Sequence, residues 1–328
     1  MSAPPAKPVK ILKFHSDILH QILRYFETVE IVNFSQCSKK SAKSLCLLNL
    51  RHLKLDLNLS SSWIQIDDVI KIEARKFRAA DGGKITGLQY FENSRARFCR
   101  DKNQKLITFW DDRFNGLKTV FFHFLNLFNC PTYSVKSDAS VPAHVFLLIL
   151  HRITSAQQEI HGLDIAARSL VENNVKWIME RLKVTEDFML GEMLSKEFGR
   201  NNLSFDAKSI FIFNAAWITP QNLESMKGCV SIELDGSLLT NQEIIKFFDD
   251  WRAVEYPDLE YFSVKSEKLS EDFTLPGFNQ LEDGNWVFWK PIRKQHRSVR
   301  NYVLLLRNDG VQGKVRFDRI NREIKLMV

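Results

Sequence analysis

The sequence predicts an α+β chain: a cluster of three short helices, then a long stretch in which strands and helices alternate, with further strands on either side of that stretch. Three patterns carry this reading. Apolar residues recur at helical spacing from 14 to 47, at period two from about 50 to 112 and again over 284–328, and in both patterns by turns from 117 to 265. With 328 residues, 45% hydrophobic and 26% charged, the chain has the composition of a globular protein of about two domains.

The lead, 1–9, is rich in Pro and is expected to be flexible. Behind it, Ile18, Ile22, Leu23 and Phe26 share one helical face, with Ser16 as the expected cap. Thr28 is the expected cap of a second helix, which carries Glu30 in its first turn and Ile31 and Phe34 three apart. Ser38 is expected to cap a third over 39–47. Three helices in under forty residues cannot bury all this apolar surface against one another. Residues 10–50 are therefore read as a helical domain with a face to offer, and 51–328 as a second domain.

Within 51–112 the strands expected are 53–57, 64–66, 69–72 and 106–109, with turns at Asp81–Gly83 and Asp101–Asn103. Over 117–265 the helices expected are 117–128, 142–153, 168–182, 220–226 and 242–254. The strands between them are 132–135, 160–165, 187–190, 209–213, 230–234 and 259–264. Their centres lie roughly 20 to 30 residues apart, a leucine-rich-repeat-like spacing in which each unit buries its apolar face only by stacking on its neighbours. Trp217, Phe247, Trp251 and Leu259 are expected inside. Strands at 286–289, 302–307, 315–318 and 323–328 follow, with Asn308, Asp309 and Gly310 marking a hairpin.

No motif in the sequence carries catalytic or cofactor chemistry. The glycines at 82, 83 and 87 lack the spacing of a phosphate or dinucleotide loop. His144 and His151 sit seven apart on a helix, about 10 Å along its axis, too far to share a metal. The acidic pairs Asp67–Asp68, Asp111–Asp112 and Asp249–Asp250 read as solvated neighbours rather than as a general acid and base. Cys37, Cys46, Cys99, Cys130 and Cys229 are scattered and form no Cys-x-x-Cys pair, so neither a disulfide framework nor a zinc site is expected. No cofactor, no metal and no enzymatic activity are expected. The longest uninterrupted apolar run, 145–150, is far below the ~20 residues of a membrane span, and no signal-peptide pattern opens the sequence. The expectation is a soluble protein of the cytoplasm or nucleus that contacts no membrane.

Charge is unevenly spread. Residues 1–60 hold nine Lys/Arg against four Asp/Glu, and 290–328 hold eleven against three, so the net +7 sits on two basic ends around an acidic middle. That suits a bridging protein at least as well as a nucleic-acid binder. Five cations, Lys290, Arg293, Lys294, Arg297 and Arg300, crowd a stretch expected to be a loop, where guanidinium forks suit an acidic or phosphorylated target.

The segment from Phe14 to Phe26, followed by Glu30–Lys40, resembles an F-box. Residues 209–219, Asp249–Trp251 and 257–261 resemble the type 2 F-box-associated domain of the large nematode-expanded F-box group. One position departs from the family pattern: His15 stands where the first helix usually begins with Pro. The resemblance implies a three-helix F-box and a substrate-recognition subunit of a Skp–cullin–F-box ubiquitin ligase. Phe14, Asp17, Ile18, Ile22, Leu23, Phe26, Ile31 and Phe34 would hold a Skp-type adaptor, and through it a cullin. The rest of the chain would hold a protein target, with Arg293, Lys294, Arg297 and Arg300 as its candidate contacts. Two other readings stay open: an interaction module that recruits no ligase, and a nucleic-acid binder using the basic ends. Nucleic acid is not the expected partner, because no basic stripe interleaved with aromatics is evident along the main body.

Overall fold

The computed structural model describes residues 11–328 apart from 46, 47, 49, 93, 103, 104, 201, 202, 271, 272, 276–280, 283–285, 291–294, 300 and 301. The architecture is α+β, with helices first and large sheets after them, in two compact units, Met1–Val135 and Lys136–Val328.

Unit 1 begins with α1 (Ser16–Leu23), α2 (Thr28–Cys37) and α3 (Lys39–Ser44). The caps of the first two lie one residue earlier than the sequence suggests. His15 caps α1, its Nδ1 accepting the Asp17 N–H at a weak 3.5 Å, and Glu27 caps α2, donating its own N–H to Glu30 Oε2 at 2.8 Å. A carboxylate three residues into a helix competes well for the orphan donor of the cap, so Thr28 becomes the first helical residue. Ser38 caps α3 as expected, accepting the Ser41 N–H at 3.0 Å.

The strands β1 (Leu55–Asn58), β2 (Trp63–Ile66) and β3 (Ile70–Lys76) follow, then β4 (Gly87–Phe91), β5 (Ser94–Arg100), β6 (Leu106–Trp110), α4 (Arg113–Phe128) and β7 (Thr132–Lys136). Their order is β7-β1-β2-β3-β6-β5-β4. All the registered pairs are antiparallel except β3 with β6, which is parallel. One face is apolar: Leu55 pairs with Ile66, Leu57 with Ile64 and Ile64 with Ile72, all buried. The buried stripe of α4 (Leu117, Val120, Phe121 and Phe124) covers that face, Phe124 meeting Phe91 of β4 edge-on at 6.2 Å. Gly116 permits the close approach, since a Cβ there would lie 2.2 Å from the ring of Trp110. α4 starts earlier than expected because Asp112 caps it, accepting the Asn115 N–H at 2.7 Å.

Unit 2 contains α5 (Ala143–Thr154), β8 (Glu159–Ile165), α6 (Glu172–Met179), β9 (Lys183–Leu190), β10 (Ser209–Ile212), α7 (Pro220–Glu224), β11 (Ser231–Ser237), α8 (Asn241–Arg252) and β12 (Tyr261–Ser266). The five strands β8 to β12 lie side by side in chain order, each parallel to the last. Parallel neighbours need a crossover, and α6, α7 and α8 provide three of them. Thr240 caps α8 in a reciprocal box with Glu243, donating its N–H to Oε2 at 2.7 Å. Trp217, Phe247, Trp251 and Leu259 are all buried. Phe247 stacks on Phe262 of β12 with centroids 3.9 Å apart and planes 20° apart, which fastens α8 to its sheet.

The last strands are β13 (Leu281–Glu282), β14 (Trp286–Lys290), β15 (Gln295–Val299), β16 (Tyr302–Leu306), β17 (Gln312–Asp318) and β18 (Glu323–Met327). The sheet continues from β12 through an antiparallel β18, then β17, β16 and β13. Among the described residues, β14 and β15 pair only with each other. The basic stretch at 290–300 is thus not simply a loop: Arg297 lies on β15 opposite Phe288, while Arg293, Lys294 and Arg300 fall outside the described residues.

Arg307 follows β16 and is 6% exposed. Its fork holds Asp309 at 2.9 and 2.8 Å and also donates to the carbonyls of Tyr256 and Pro257 at 3.1 and 2.9 Å. One side chain thereby ties the β16–β17 turn to the segment after α8. Arg307→Ala is expected to cost about 2–3 kcal/mol in urea unfolding, because two carbonyls and a carboxylate lose their donors. Arg307→Lys should recover less than half, lacking the planar fork.

Candidate functional site

The first helix carries two apolar stripes rather than one. Leu19 and Leu23, four apart, are buried, and Phe26 continues their line to meet Phe34 edge-on at 5.7 Å. Phe14, Ile18 and Ile22, also four apart, run along the other side, with Tyr25 three further on. Phe14 is 40% exposed, Ile18 52% and Tyr25 85%, and Val29 joins them at the start of α2. Asp17 is exposed beside Ile18, while Ile22, Phe26 and Phe34 are half-buried. Leu23 and Ile31 face the interior of unit 1. Of the eight positions read from the sequence, Phe14, Asp17 and Ile18 are thus open to a partner, and Leu23 and Ile31 hold the helices in place. Tyr25 and Val29 belong to the open face but were not among the eight. Adjacent apolar pairs such as Ile18–Leu19 and Ile22–Leu23 feed both stripes, so spacing alone cannot assign them.

Hydrogen bonds fix this face to the sheet. Thr28 donates to Asp67 at 3.3 Å, and Arg100 of β5 donates to Asn33 at 2.9 Å. Gln36 of α2 bonds to Gln89 of β4 and lies 3.3 Å from His123 Nε2 of α4. The Glu92 N–H donates to His123 Nδ1 at 3.1 Å, so the neutral ring carries its proton on Nε2. Burial pushes the pKa of His123 down to about 4. The unfolded ring titrates near 6.5. The unfolded chain therefore binds more protons between these values, so the stabilisation is complete above about pH 6.5 and is lost as pH falls toward about 4. Unit 1 should lose about 3 kcal/mol across that window, a loss that disappears in His123→Leu; urea unfolding at pH 7 and pH 4.5 measures it.

In unit 2, a cavity of ≈ 860 Å³ opens beside the end of α6. His151 lies 4.1 Å from Trp177, and Arg181 sits 5.4 Å over the same indole. Among the described residues no group of three His, Cys, Asp or Glu side chains could hold a metal ion, and no helix is long and apolar enough to cross a membrane.

Residues 11–53 match the F-box domain family, and residues 195–264 match the family described as F-box associated. The chain is also similar to an uncharacterised protein of Caenorhabditis elegans, 22% identical over 306 residues that cover 88% of this chain and 67% of that protein. No solved structure matches it. An F-box match thus lies over the three capped helices, and a second match, to the F-box-associated family, spans β10 to β12.

Proposed function

We propose that this chain is the substrate-recognition subunit of a Skp–cullin–F-box ubiquitin ligase in the cytoplasm or nucleus. The observation that carries the reading is the open apolar stripe Phe14, Ile18 and Tyr25 within the F-box match. Water-exposed Ile18 gains about 1.5–3 kcal/mol when a partner covers it, and Asp17 beside it supplies a charged rim. Phe26 and Phe34 shape the helices behind the stripe and lend their half-buried edges to it. A Skp-type adaptor docks here and brings a cullin.

The remainder of the chain holds a protein target. Its five parallel strands in chain order support a leucine-rich-repeat-like reading of 117–265, with irregular crossovers. The basic positions Arg293, Lys294, Arg297 and Arg300 are its candidate target contacts. The chain itself catalyses nothing; ubiquitin transfer belongs to other subunits. Mass spectrometry of proteins captured on the full chain tests the reading. Adaptor and cullin should be recovered together, and both should be lost from Ile18→Asp while target proteins remain. Equal recovery from both chains would contradict it.

A further inference from the structure

The sheet of unit 1 ends at β4, the last strand in its order. Free edges invite pairing, and soluble proteins usually blunt them with Lys, Pro or a bulge. β4 reads Gly-Leu-Gln-Tyr-Phe, with neither charge nor proline, and it leaves Leu88 and Tyr90 47% and 59% exposed. The strand behind it is the opposite. On β5, Arg95 lies across from Tyr90 and Arg97 across from Leu88, so all four side chains share the face away from α4. Neither guanidinium has a carboxylate partner among the described residues. Each is instead held over a ring, Arg97 at 4.3 Å from Phe77 and Arg95 at 5.6 Å from Tyr90. Across 70–105 the chain carries ten Lys/Arg against four Asp/Glu, a local excess hidden inside the acidic middle.

We propose that β4 is a docking edge for an extended acidic segment of a partner protein, which adds to the sheet of unit 1 as a further strand. Backbone pairing along β4 supplies the register-independent part of the binding. Arg95 and Arg97, two residues apart, are about 6.8 Å apart along the strand, the same repeat as alternate side chains on the added strand. Acidic groups at every second position of the added strand share the face of Leu88 and Tyr90 and reach across them to successive guanidiniums. Because the rings hold the guanidiniums beforehand, less side-chain freedom is lost on binding. A second copy of this chain offers the edge no acidic partner, since its β4 and β5 carry arginines and neither Asp nor Glu. Single-stranded nucleic acid needs open ring faces for its bases, and here guanidiniums occupy those of Phe77 and Tyr90. The proposal takes from the target-recognition reading only the idea that the partner is a protein.

The test uses the full chain and a labelled nine-residue peptide alternating Glu and Val, followed by fluorescence anisotropy. Parallel arms replace Glu by Gln, replace Glu by phosphoserine, or substitute an oligothymidylate. The Glu peptide should bind about tenfold more tightly than the Gln peptide, and amide exchange at 87–91 should slow in the complex. Arg95→Glu with Arg97→Glu should weaken it by about tenfold, and Leu88→Asp, which leaves both arginines in place, should weaken it as well. Whichever of the Glu and phosphoserine peptides binds more tightly identifies the source of the negative charge. Equal binding of the Gln peptide, no effect of the arginine changes, unprotected amides at 87–91, or binding of the oligothymidylate alone would each overturn the proposal. Adaptor capture by the same variants is measured separately, so a failed edge leaves the F-box reading standing and a failed F-box leaves the edge testable.

Discussion

Trp251→Ala should destabilise unit 2 by about 3–5 kcal/mol, enough to lower its melting temperature by roughly 6–20 °C. The indole is fully buried at the end of α8. It lies so close against β17 that a Cβ added at Gly313 would meet it at 2.9 Å, and Arg307 lies 5.6 Å over its face. Removing it leaves a cavity whose walls belong to the parallel strands' helix layer and to the C-terminal meander at once. Neither side can collapse without breaking its own pairing, so the cost should fall at the upper end for a large-to-small change. The indole N–H has no acceptor among the described residues. Trp251→Phe, which keeps a ring and removes that donor, should therefore cost well under half as much. Urea unfolding followed by circular dichroism separates the cases. A loss below about 1 kcal/mol for Trp251→Ala would mean that α8 and the meander are not coupled through this side chain.

The second large effect is on binding rather than stability. Ile18 is 52% exposed, whereas Leu19 and Leu23 on the neighbouring stripe are buried. Ile18→Asp should thus leave the unfolding curve within about 0.5 kcal/mol of the parent yet remove adaptor binding, because a carboxylate would be buried without a partner at the interface. Leu23→Asp should do the reverse and unfold the helices themselves. The contrast between neighbouring stripes of one helix is what separates a docking face from a mere N-terminal cap.

Much of this was readable from residue spacing, and the exceptions have physical causes. Strict helical periodicity located α5 and α8 to within a residue or two at each end, α8 with its Thr240 cap as well, and period two located β1, β2 and β6. The hairpin β4–β5 escaped notice because its inward positions include the small residues Gly87 and Ala96, while its outward positions include arginines; the alternation is present but carries little hydrophobic contrast. The same hairpin creates the basic face that a charge count over the whole middle concealed. Caps slipped by one residue at α1 and α2 because the His15 ring can also accept a backbone proton and because the Glu30 carboxylate takes the Glu27 N–H. The candidate site was legible as a helical segment with surplus apolar surface. Which residues face outward depends on how Gln36, Asn33 and Thr28 fasten α2 to distant strands, and no local pattern encodes those bonds.

Calorimetric titration of purified adaptor onto the purified full chain and onto Ile18→Asp decides whether the outer stripe of α1 docks a Skp-type adaptor. Saturable one-to-one binding to the parent and none to Ile18→Asp is expected, with both chains showing the same unfolding curve. Binding of the adaptor to both chains with equal affinity, or to neither, would contradict it.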